Sequence, residues 1–123
     1  MTAARLRYLP LAVMVPISLV MLFSPGSTVP SGPPNSDKLV HALLFAALAA
    51  AATLAGFLRL HTAVGLLAYA AVSEVLQQAL PIHRSGSPWD FAADAVGVAI
   101  GLGVAAGIGG AIARGNRRGR DHE

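Results

Sequence analysis

Four apolar stretches, at about residues 8–23, 36–57, 62–80 and 88–113, occupy most of this chain and restrict what it can fold into. A bilayer core asks for about 20 consecutive apolar residues in helical form, so stretches of this length read as membrane spans. The 123 residues are 54% hydrophobic and only 12% charged, too apolar for an ordinary soluble domain and too few for several domains. The expectation is all-α: one integral membrane bundle of four transmembrane helices over residues 1–123.

The placement of charge orients these spans. Nine Lys and Arg stand against six Asp and Glu, a net charge of +3. Arg5 and Arg7 open the chain, Arg59 lies between the second and third stretches, and Arg114, Arg117, Arg118 and Arg120 close it. With both termini cytoplasmic, all seven fall inside, as the positive-inside rule requires, and only Lys38 and Arg84 fall outside. The basic tail at 114–123 has no aromatic residues among its arginines, so nucleic acid is not an expected partner and membrane lipid is. The absence of cysteine leaves oxygen and imidazole nitrogen for any chemistry. The basic start resembles a signal peptide, but Phe23-Ser24-Pro25 is a poor cleavage site, and a retained first span is expected.

The first span holds Pro10 and Pro16, with a kink expected at Pro16. Prolines and glycines in residues 24–35 then make an outer loop. The second and third spans form a tight helical hairpin, and a second outer loop at 81–87 leads into a glycine-rich fourth span. There, Gly97 with Gly101 and Gly103 with Gly107 recur at four-residue spacing, which lets helices approach closely in lipid.

Ionisable residues within these spans are costly and persist when paired, hydrated or used. Two of the acids could be helix-start residues. Asp90 follows Ser87 and Pro88 in the pattern of a capping box, and Asp37 follows Asn35 and Ser36, so capping and a site role are both open for each. Glu74 and Asp94 are about six residues from the outer ends of their spans, roughly 9 Å deep. His41 follows Asp37 by four, Asp94 follows Asp90 by four, and Gln77 follows Glu74 by three, so polar stripes recur at matching depth on three helices. The candidate cluster is Asp37, Lys38, His41, Glu74, Gln77, Arg84, Asp90 and Asp94. An arginine bridging two carboxylates, or a protonated acid or imidazole, would each balance its four acids against two bases.

A metal set of His41, Glu74 and Asp94 is the weaker reading, because the chain has no His-Glu-x-x-His pair and no second imidazole on that face. No metal or cofactor is therefore expected. Ser73, Ser85 and Ser87 have no convincing neighbouring base, while His61, His83 and His122 read as solvated residues.

The order Asp37-Lys38-x-x-His41-x-x-x-Phe45, then Glu74-x-x-Gln77, Arg84, and Asp90-x-x-x-Asp94-x-x-Gly97, resembles the VanZ-like family of small bacterial membrane proteins. The resemblance spans residues 36–105, with Asp94 standing where that family often has asparagine. It implies a multi-pass protein of the bacterial plasma membrane with a role in the cell envelope, in a family named from a member linked to glycopeptide resistance. Three functions stay open on the residues alone, besides proton or cation passage, which would need a polar path that the inner halves of the last three spans hardly offer. The leading one is an outward-facing polar pocket that binds an envelope lipid or glycolipid, with an anionic or sugar-bearing headgroup. The second is an enzyme acting on a lipid-linked substrate with His41 as acid or base. The third is a scaffold whose polar cluster only holds helices together.

Overall fold

A computed structural model describes residues 2–25, 32, 35–82 and 86–122, and everything described is helix, turn or short connection. A short helix α1 (Ala3–Leu6) leads into α2 (Leu9–Phe23), followed by α3 (Ser36–Leu54), α4 (Arg59–Ala79) and α5 (Pro88–Asp121). Four segments are long and apolar enough to cross a membrane: Ala4–Phe23, Ser36–Leu54, Arg59–Ala79 and Pro88–Asp121. The chain is an all-α, multi-pass membrane bundle. Leu39, Leu43, Val64, Val72, Ile100 and Val104 point outward, an apolar surface suited to lipid and hostile to water.

The turn between α3 and α4 explains the tight hairpin. Gly56 adopts φ +101°, a conformation that side chains disfavour. Its N–H donates to Thr53 O, and the Phe57 N–H donates to Ala52 O, a Schellman closure that satisfies two helix-end carbonyls. The turn comes about three residues earlier than the sequence suggests: α3 stops at Leu54 and α4 starts at Arg59, so Arg59 opens a helix. Helix α2 runs through Pro16, which withdraws a donor from the Ala12 carbonyl without ending the helix. The tail expected at 114–123 is likewise helical as far as Asp121.

Helices α3 and α5 form the most extensive interface and run parallel, with both N-termini at one end of the bundle. A Cβ on Gly97 would collide with the carbonyl oxygen of Ala42 and come within 3.0 Å of its Cα; one on Gly101 would meet Ala46 and lie 2.8 Å from the Ala49 Cβ. Small residues therefore face small residues along this seam, and van der Waals contact replaces the hydrophobic effect that lipid removes. Gly103 and Gly107, also expected to pack, face open space with nothing within 4 Å of an added Cβ. Below the polar end, Phe45, Leu48, Ala49, Ala70, Val98 and Leu22 form one apolar core, and Phe45 meets Tyr69 with ring centroids 5.7 Å apart.

Candidate functional site

The close α3–α5 seam brings a short aspartate within reach of an imidazole. His41, in the second turn of α3, and Asp94, in the second turn of α5, are joined by a hydrogen bond of 2.8 Å between Nδ1 and Oδ1. Asp94 is 0% exposed, and its other oxygen, Oδ2, has no hydrogen-bond partner. Only a glycine three residues after Asp94 lets the α5 backbone lie against Ala42, the neighbour of His41.

Helix α4 contributes Glu74. Its Oε2 accepts from the backbone N–H of Ser87 at 2.9 Å, while its Oε1 lies 3.9 Å from His41 Nδ1 and is buried without a hydrogen-bond partner. Ser87 caps α5 as expected, its Oγ accepting from Trp89 N–H at 3.1 Å. The reciprocal half of a capping box would have Asp90 accept the Ser87 N–H, and Glu74 of another helix takes that donor instead. Asp90 turns inward, 6% exposed, with Oδ1 3.7 Å from Lys38 Nζ and outside hydrogen-bond reach. The first-turn position in α5 still favours its charge through the helix dipole.

Asp37 is not part of this buried group. Its side chain is 58% exposed and pairs with Lys38 at 3.3 Å, because it sits at the end of α3 above the bundle. Asn35 precedes the helix at φ 66° and makes no side-chain cap. Arg84, expected to bridge carboxylates, lies outside the described residues, as do His83 and Ser85. Among the described residues, His41 and Lys38 are the cationic or titratable partners facing these acids.

Gln77 is buried one turn from Glu74, and its Nε2 donates to Leu22 O of α2 at 2.8 Å. It thus satisfies a carbonyl in the last turn of that helix, where intrahelical donors run out. The sequence gives less warning of Ser18 and Tyr69, whose hydroxyls share a 3.0 Å hydrogen bond between α2 and α4. A serine within an apolar span and a tyrosine on the facing span were the available signal.

Beside the cluster, between α4 and the start of α5, an open cleft of about 580 Å³ is lined by Ala71, Val75, Ala79, Pro88 and Phe91 on its apolar side and by Glu74, Gln78 and Ser87 on its polar side. Exposed Trp89 stands at this same end, as aromatic residues do at membrane interfaces. The site therefore combines a buried His–Asp pair, two further inward-turned carboxylates, and an open, largely apolar groove beside them. No family model, curated protein or solved structure matches this chain.

Proposed function

We propose that this is a VanZ-like protein of the bacterial plasma membrane that binds the polar end of an envelope lipid or glycolipid at the His41 end of its bundle. The observation that carries the reading is the cleft: its apolar wall suits hydrocarbon, and its polar wall ends at Glu74, which belongs to the buried cluster. The placement of Arg5, Arg7, Arg59, Arg114, Arg117, Arg118 and Arg120 supports cytoplasmic termini and an outward-facing cleft. Lys38 is already engaged with Asp37 and lies near Asp90, and the cleft offers carboxylate, amide and hydroxyl groups. A headgroup rich in hydroxyl or amine donors complements these groups better than an anionic one.

Lipid mass spectrometry of protein purified from native membranes tests this reading. Wild-type protein should carry one lipid class enriched over bulk membrane, and Ala71→Trp, which fills the cleft, should lower that enrichment at least tenfold. Glu74→Gln should lower it less, since the apolar wall survives. Identical lipid profiles in all three folded proteins would overturn the proposal.

The 2.8 Å His41–Asp94 contact favours a second reading, an enzyme in which Asp94 orients His41 as acid or base toward a lipid-linked substrate. Turnover of envelope lipids by wild-type protein and its loss in His41→Ala are the results that reading requires.

A further inference from the structure

We propose that His41, Glu74 and Asp90 form a binding site for a divalent cation of the zinc type, with Asp94 as the positioning residue for the imidazole. One ring nitrogen of His41 and one carboxylate oxygen from each of Glu74 and Asp90 lie within 4.8 Å of one another. Bonds of about 2.0–2.2 Å to such an ion in tetrahedral geometry bring ligand atoms to about 3.3–3.6 Å from each other. Side-chain adjustments smaller than a methyl group close that difference.

A second observation is independent of this spacing. Asp90 Oδ1 and Glu74 Oε1 are both buried with no hydrogen-bond partner, and Asp90 is 6% exposed. Anionic oxygens withdrawn from water and left without a hydrogen bond are costly, and in native proteins they are nearly always satisfied by a donor, a water or an ion. A single cation placed among the three ligands satisfies both oxygens and offsets the excess of carboxylates. Lys38 does so only in part: its ammonium is 3.7 Å from Asp90 Oδ1, beyond hydrogen-bond reach, and it is hydrogen-bonded to exposed Asp37 at 3.3 Å.

The third carboxylate has a different task. His41 Nδ1 is taken by Asp94 Oδ1 at 2.8 Å, so an ion is held by the other ring nitrogen, Nε2. The ring must turn slightly, because Nδ1 is the nitrogen 3.9 Å from Glu74 Oε1. Asp94 is then the outer carboxylate that fixes ring orientation and strengthens a metal-bound imidazole. The carboxylate that completes the ligand set is thus Asp90, which caps no backbone donor of its own helix start, and Asp94 stands behind the histidine. The three ligands come from three helices, so no local spacing such as His-Glu-x-x-His announces them. One imidazole with two carboxylates and no thiolate matches zinc, manganese or iron(II) better than calcium or copper(I). Three protein ligands also leave at least one coordination position for water or for a ligand oxygen. The inference rests on these ligand atoms and stands whether or not a lipid occupies the neighbouring cleft.

The test uses tag-free full-length protein in maltoside detergent, stripped with chelator, then titrated with Co²⁺ by visible absorption and with Zn²⁺ by calorimetry. One equivalent should bind with micromolar or tighter affinity, and Co²⁺ should give the spectrum of a nitrogen–oxygen site. Asp90→Asn and Glu74→Gln, both close in shape to the parent residues, should each weaken binding at least tenfold. Asp94→Asn should weaken it about 10–100-fold and alter the Co²⁺ spectrum while one equivalent still binds. Asp37→Asn and His61→Ala, both outside the ligand set, should bind as wild type does. Monodisperse, helical Asp90→Asn and Glu74→Gln proteins that bind as tightly as wild type would overturn the proposal. So would binding that disappears only with His61→Ala or His122→Ala.

Discussion

In the first half of α5, Gly97 and Gly101 lie against the α3 backbone, and Asp90 and Asp94 are buried among side chains of α3 and α4. Gly103, on the opposite face of that same half, and Gly107, beyond it, meet nothing, and in the second half Arg114, Arg117, Arg118 and Arg120 are exposed. The spacing within each glycine pair is the same, but position 103 lies about 200° around the helix from position 101. What separates the covered positions from the bare ones is the partner across from them. One face meets a parallel helix of small residues as far as buried Ala105, Gly103 faces away from it, and the arginine-rich end has outrun the neighbours that would cover it.

Valine at the two glycine positions should break this contrast most sharply if it is wrong. Gly97→Val drives a branched side chain into the Ala42 backbone and should cost about 1–3 kcal/mol in SDS-induced unfolding of the reconstituted protein. Gly103→Val should leave the midpoint close to wild type; equal losses at both positions would place the seam elsewhere. A smaller effect is expected at the start of the helix, where Ser87→Ala removes the acceptor of the Trp89 N–H and should cost about 1 kcal/mol in the same assay. The smallest belongs to the far end. Arg117→Ala combined with Arg118→Ala should leave the unfolding midpoint unchanged, and a clear shift would mean that the second half of α5 has a partner after all.

The spans were legible because lipid imposes length and apolarity on every one of them, and Glu74, Asp94 and His41 stood out because charge at that depth has no local excuse. Other features depended on distant parts of the chain. Asp90 fits a capping box in its own helix, and only the arrival of Glu74 at the Ser87 N–H shows that the local pattern is not used. Asp37 shares a helical face with His41, yet it ends above the bundle and stays solvated. Nothing in the Arg- and Gly-rich tail marks where a helix must stop, and with no proline in it α5 continues to Asp121. The pairing of Ser18 with Tyr69 joins residues 51 apart in sequence, which no spacing rule relates.

The two hydrogen bonds that tie α2 to α4 do more than join them. Gln77 holds Leu22 O near the end of α2, and Tyr69 holds Ser18 one turn further back. Two such points, about one helical turn apart on α2 and about two on α4, set the register between the helices as teeth set the position of a rack. Sliding α2 along its axis by one turn, about 5.4 Å, would break both together and strand a carbonyl in hydrocarbon. The N-terminal span is thereby denied piston-like motion, and any movement it makes relative to α4 must be a pivot about that pair of bonds.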